Sequence, residues 1–181
     1  MARVVAVLGY AKSGKTAFVE ALIESALQEG RSVSALKAGR LAHPGAPQGG
    51  QDRLAAGGSR TPGKLPDTLR FRAAGAEPVV LWTEAGLALE SGDPAELTTL
   101  STAPLPRRDR FAATWLSLLP EELSTQLLAK ELLVMEGRTP EGALLVHMEK
   151  VGAPASRAFK QKPKAGEHVV SDPSRIRELA K

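Results

Sequence analysis

The chain has 181 residues, of which 43% are hydrophobic and 24% charged, a balance that suits a globular protein and excludes wholesale disorder. Its length fits one hydrophobic core and is short for two, so residues 1–181 are expected to form a single domain. The absence of cysteine excludes disulfides, cysteine-zinc sites and thiol nucleophiles, and a net charge of +4 spread along the chain does not call for a nucleic-acid partner.

Residues 3–8, RVVAVL, make a run rich in β-branched residues, as a strand buried on both faces does. This run and ELLVM are far too short to span a membrane, and a lysine-bearing motif stands where a secretory signal would need its cleavage site; the cytoplasm is the expected location. After GYAKSGKT, the residues Phe18, Leu22, Ile23 and Leu27 recur at helical spacing, and Gly30 supplies a stop. RSVSALK (31–37) predicts a second strand, parallel to the first through a right-handed crossover. Residues 38–66 hold HPGAPQGGQ and AAGGSRTPGK without apolar periodicity, which predicts a long loop, either ordering on ligand or acting as a fixed lid.

DTLRFRAAGA (67–76) predicts a short helix ending at Gly75, and EPVVLWTEAGLALESG predicts two strands turning around Glu84 to Gly86. Residues 93–106, with three prolines, predict another loop. RDRFAATWLSLL then predicts a helix with Phe111, Trp115, Leu118 and Leu119 on a core-facing stripe. EELSTQLLA is a further short helix, KELLVME and ALLVHMEK are strands, HVV is a short last strand, and the end of SDPSRIRELAK is helical. The basic clusters PRRDR and FKQKPK suit solvated surface first and anion contacts second. The alternation of strands and helices predicts a three-layer α/β/α sandwich with a mainly parallel sheet and a small antiparallel hairpin insertion.

Gly9-x-x-x-x-Gly14-Lys15-Thr16 satisfies the phosphate-binding loop pattern in the setting that motif requires, between a strand and a helix, which narrows the sandwich to the P-loop nucleoside triphosphate hydrolase type. Gly9 permits the sharp turn, and the backbone N–H groups of Lys12, Ser13, Gly14, Lys15 and Thr16 converge on phosphate oxygens at the helix start, with Ala17 completing the set. Lys15 is expected to reach the terminal phosphates as a point charge, in a catalytic role, and the Thr16 hydroxyl to enter a Mg²⁺ shell. A turn that merely caps a helix does not account for lysine and threonine at these positions.

A second acidic group is needed to steady Mg²⁺ or its waters, ideally at the carboxyl end of a strand beside the first. Glu136 in ELLVMEGR fits, since four apolar residues put it at a strand end and Gly137 turns the chain away; a solvated glutamate at a strand end is the plainer alternative. Asp67 and Glu149 are weaker candidates of the same kind. The chain has no asparagine, so the guanine-reading pattern Asn-Lys-x-Asp is excluded. Asp172 in VVSDP is the candidate carboxylate for a guanine base, or else the cap of a helix beginning at Pro173.

VVAVLGYAKSGKTAFVEALIESALQEGRSVSALK, DTLRFRAAGA, LLVMEG and VVSDP, in that order, resemble the molybdopterin-guanine dinucleotide biosynthesis adaptor family, the MobB proteins. The resemblance implies a GTP-binding protein with weak hydrolysis, usually a homodimer, that assists the MobA guanylyltransferase in attaching GMP to molybdopterin. By position, Gly14, Lys15 and Thr16 match the family's phosphate loop, Lys37 its lysine after the second strand, Asp67 and Arg70 its Asp-Ser-x-Arg helix, and Glu136 its Val-Glu-Gly strand end. Lys37 thereby joins the nucleotide-binding candidates. The chain departs from the pattern at Ala38, where the family has histidine, at Thr68 in place of serine, and at GRTPEG in place of an aromatic-lysine pair. A small-molecule kinase using ATP, with PRRDR as an arginine-bearing lid, and a binding module without hydrolysis remain the alternatives.

Overall fold

The computed structural model describes residues 2–9, 13–39, 66–84, 86–90, 97–101, 115–137, 143–148 and 168–169. In chain order these form β1 (Arg3–Gly9), α1 (Lys15–Gln28), β2 (Val33–Ala38), α2 (Asp67–Ala73), β3 (Val79–Thr83), β4 (Gly86–Glu90), β5 (Leu97–Ser101), a 3₁₀ turn (Trp115–Leu118), α3 (Glu121–Leu128), β6 (Leu132–Glu136), β7 (Leu144–Met148) and β8 (His168–Val169). One eight-stranded sheet runs in the order β5-β4-β3-β2-β6-β1-β7-β8, parallel from β3 through to β8 and antiparallel only where β4 and β5 are added at the other edge. This mixed α/β arrangement is consistent with a P-loop fold.

The parallel strands are apolar at successive positions because both their faces are covered. Along β2 and β6 the side chains alternate between two clusters. Val33, Ala35, Leu132 and Val134 join Val5 and Val7 beneath α1 and the Phe71 of α2. Leu36, Ala38, Leu133 and Met135 join Trp82 beneath Leu123 and Leu127 of α3. Helix α1 supplies its cluster with Phe18, Val19, Leu22, Ile23 and Ala26, one stripe at helical spacing. At full burial each large aliphatic or aromatic side chain contributes about 1.5–3 kcal/mol, so these two clusters are the main source of stability.

Register between β2 and β6 is fixed at their amino ends by a reciprocal pair: Ser32 N–H donates to Glu131 Oε2 (2.9 Å) and Glu131 N–H donates to Ser32 Oγ (3.2 Å). Further along, the buried Ser34 hydroxyl donates to the Leu127 carbonyl (2.8 Å), tying the end of α3 to β2.

The structure corrects three expectations. Residues 97–101 form a strand inside the proline-rich stretch expected to be a loop, since Leu97–Ser101 contains no proline and can pair with β4. Trp115–Leu118 is a 3₁₀ turn rather than part of an α-helix, and Leu118 is 38% exposed, so the tighter winding carries Leu119 alone of that pair into the core. Leu27, expected on the buried face of α1, lies at its rim, 36% exposed, because the apolar stripe has rotated past it to Ala26. The long loop expected over 38–66, apart from 38–39 and 66, the PRRDR segment, Phe111 and the carboxy-terminal helix lie outside the described residues.

Candidate phosphate-binding site

Strands β1, β6 and β2 lie side by side and parallel, so their carboxyl ends open on one edge of the sheet, where α1 begins. Gly9 closes β1 in a crowded place: a Cβ there would come within 2.7 Å of both the Met148 carbonyl oxygen and Ser13 Oγ. Only a residue without a side chain lets β1 end this close to Met148 of β7 and to Ser13. Gly14 caps α1 in a left-handed conformation (φ 86°, ψ 8°) with no side-chain cap, and the first turn contains no acidic residue. The first intrahelical bond runs from Phe18 N–H to the Gly14 carbonyl (3.0 Å), so the amides of Lys15, Thr16 and Ala17 precede the helical ladder. An uncapped amino end without a carboxylate of its own favours an anion from outside.

Across this edge the register brings charges together. Glu136 at the end of β6 stands opposite Val7 of β1 on one side and Lys37 of β2 on the other. Lys37 Nζ is 3.5 Å from Glu136 Oε1 and pairs closely with Asp67 Oδ2, at the first position of α2. These three side chains are only 11%, 6% and 15% exposed, respectively. Glu136 Oε2 is buried without a hydrogen-bond partner among the described residues, as is Ser13 Oγ.

Burial pushes the Glu136 carboxyl above the usual carboxylate range; Lys37 opposes that rise, Asp67 adds to it and Lys15 opposes it. Burial also lowers Lys15 from the usual lysine value, with Glu136 and Asp67 working against this and Lys37 with it. Lys15, Lys37, Asp67 and Glu136 therefore form one coupled group at the start of α1.

Gly137 sets the exit from this group. Its φ is +95°, and a Cβ there would run into the Ala38 carbonyl at the end of β2. With its N–H donating to the Val7 carbonyl (3.1 Å), the chain leaves β6 between its two neighbours, and Glu136 is held at the last position of the strand.

Helix α2 carries Asp67 and is fastened on both sides. Arg70 pairs with Glu20 of α1 through Nε (2.7 Å) and its NH2 group, while its NH1 lies 4.0 Å from Asp67 Oδ1. Thr68 Oγ1 donates to the buried Glu90 Oε2 at the end of β4 (2.7 Å), and Arg72 NH1 donates to the Glu90 carbonyl (3.2 Å).

Of the residues singled out from the sequence, Gly9, Ser13, Gly14, Lys15, Thr16, Ala17, Lys37, Asp67 and Glu136 all lie at this edge. Lys12, Glu149 and Asp172 lie outside the described residues. Sequence reasoning missed Glu20, Met148 and the Thr68–Glu90 pair. Glu20 left only a faint sign, an acidic residue beside the buried stripe of α1, and the other two left none, because their partners are remote in sequence.

The protein-family model described as "Molybdopterin guanine dinucleotide synthesis protein B" matches residues 4–104, more than half of the chain. The chain belongs to the MobB family. Comparison with curated proteins gives no match. Membership gives the chain a role in molybdenum cofactor biosynthesis and in nucleotide binding. The matched residues include the phosphate loop, Lys37, Asp67 and Arg70, whereas Glu136 lies beyond them and is brought to the MobB-like portion by the pairing of β6 between β1 and β2.

Proposed function

We propose that the chain is a single P-loop domain, a three-layer sandwich with a hairpin insertion, that binds GTP with Mg²⁺ at the carboxyl edge of β1, β6 and β2. In this reading it serves in the cytoplasm as a homodimeric accessory to the guanylyltransferase that attaches GMP to molybdopterin. The observation that carries the reading is the coupled group of Lys15, Lys37, Asp67 and Glu136 at an uncapped helix start. The amides of the first turn of α1 orient the phosphates, and Lys15 supplies a cation whose burial sharpens its attraction for them.

The donor set fits magnesium. Thr16, Glu136 and Asp67 offer only oxygen, as a hard cation requires, and Glu136 Oε2 has no other partner among the described residues. No group of three or more His, Cys, Asp or Glu among the described residues could hold a metal alone, which suits an ion that keeps several waters and leans on phosphate oxygens. Magnesium held there would supply charge neutralisation of the terminal phosphates. Thr16 would hold it through its hydroxyl, and Glu136 and Asp67 would hold it or its waters. Lys37 limits how much negative charge these two carboxylates present. No helix among the described residues is long and apolar enough to cross a membrane, in keeping with this assignment.

Competition between GTP and ATP for the protein in the presence of Mg²⁺ tests the choice of base. GTP is expected to bind at least tenfold more tightly, about 1.4 kcal/mol. A tenfold preference for ATP would overturn the guanine assignment and favour phosphoryl transfer to a small acceptor.

A further inference from the structure

Six charges of alternating sign begin and end on α1: Glu20, Arg70, Asp67, Lys37, Glu136 and Lys15. We propose that Arg70 is a positioning residue for the phosphate site, bracing Asp67 against Lys37 so that Glu136 keeps one carboxylate oxygen for a bound cation or its waters. This rests on the proposed Mg²⁺-nucleotide site and adds to it a residue that touches neither ligand.

The geometry follows from the guanidinium fork. Glu20 takes Nε and NH2 of Arg70, which fixes the plane of the group and aims NH1 at Asp67 Oδ1, 4.0 Å away. Asp67 thereby has one oxygen facing Arg70 and the other on Lys37. Lys37 stands between two carboxylates, close to Asp67 and 3.5 Å from Glu136 Oε1, and among the described residues Oε2 has no hydrogen-bond partner. Without its brace, Asp67 is free to turn to water, since it is the more exposed of the two carboxylates (15% against 6%). The Lys37 ammonium then has one buried counter-charge and three donors, and it closes on both oxygens of Glu136. The helix itself is held at its other side by Thr68 and Arg72 on Glu90, so the change is confined to the Asp67 side chain. A lysine at position 70 has no planar fork with which to serve Glu20 and Asp67 together.

The test compares wild type, Arg70→Gln, Arg70→Lys and the exchange Glu20→Arg with Arg70→Glu. Nucleotide-free crystal structures and calorimetric titrations of GTP, with Mg²⁺ and with EDTA, are made for each. In Arg70→Gln the Lys37–Asp67 pair is expected to be lost and Lys37 to sit on both Glu136 oxygens. Affinity for GTP with Mg²⁺ should fall about tenfold, affinity in EDTA less than about twofold, and Arg70→Lys should restore only part of the loss. The exchange should restore the melting temperature, because it rebuilds the α1–α2 pair, but not the affinity, because a glutamate at 70 repels Asp67. An intact Lys37–Asp67 pair in the Arg70→Gln structure, or an exchange that restores affinity along with stability, overturns the proposal and leaves Arg70 a clamp between two helices. Absence of GTP binding in the wild type would instead remove the proposed function, and the nucleotide-free structures would still decide the role of Arg70.

Discussion

Removal of the Lys37 charge exposes how the site is held together. Lys37→Met keeps most of the aliphatic stem and deletes the ammonium between Asp67 and Glu136, leaving two carboxylates that are 15% and 6% exposed without their shared cation. Breaking a buried pair by deleting one partner costs about 3–5 kcal/mol. For a chain of this length each kcal/mol moves the melting temperature by about 2–4 °C, so the expected loss is about 6–20 °C near neutral pH. The pH dependence has a definite sign. Glu136 already titrates above the usual carboxylate range because it is buried, and Lys37 is the strongest influence against that rise. In the variant the folded state therefore binds more protons than the unfolded chain over a wider interval, and stability falls as pH rises through it. The deficit should be smallest near about pH 5 and larger near about pH 8, measured by thermal unfolding of both proteins in matched buffers. Melting temperatures within about 2 °C of wild type at both pH values, or a deficit that grows on acidification, would refute this account of the site.

Two further substitutions probe the supports of the same edge. Gly137→Ala places a side chain at φ +95° and against the Ala38 carbonyl, so it should destabilise by more than the roughly 1–2 kcal/mol of a left-handed non-glycine residue alone. Gly30→Ala, at φ +78° with open space around the added carbon, is the control; equal urea midpoints for the two variants would mean that the close approach at Gly137 carries no energy. Thr68→Val keeps the shape of the side chain and removes the hydrogen bond to buried Glu90, for an expected loss of about 1.5–3 kcal/mol in urea unfolding. An unchanged midpoint would show that α2 does not depend on that bond.

The phosphate loop was the most legible part of the sequence because its information is local: a strand, a glycine-bounded turn and an amphipathic helix within residues 3–28. Glu136 was legible for a similar reason, an apolar run that stops at an acid followed by glycine, and the structure puts it beside β1. The partners of that acid were not legible. Lys37 and Glu136 are neighbours only because β6 inserts between β1 and β2, a pairing set by the fit of distant strands. The ion pair between Lys37 and Asp67 likewise spans a long stretch of chain, and Arg70 finds Glu20 on another helix fifty positions away. Local signals also misled: prolines at 94, 104 and 106 suggested a loop across residues that form β5, because proline constrains its own position and its neighbour and says little about the proline-free residues between.

If the edge formed by β1, β6 and β2 is a nucleotide-phosphate site served by Lys15, as proposed, a calorimetric titration of GTP with Mg²⁺ into wild type and Lys15→Ala will show it. Lys15→Ala deletes a half-buried cation at the start of α1 without touching the hydrophobic clusters, so the variant should still fold and should bind GTP at least tenfold more weakly, a loss of about 1.4 kcal/mol or more. Equal affinity of a folded Lys15→Ala variant for GTP would contradict the claim and place the nucleotide elsewhere on the molecule.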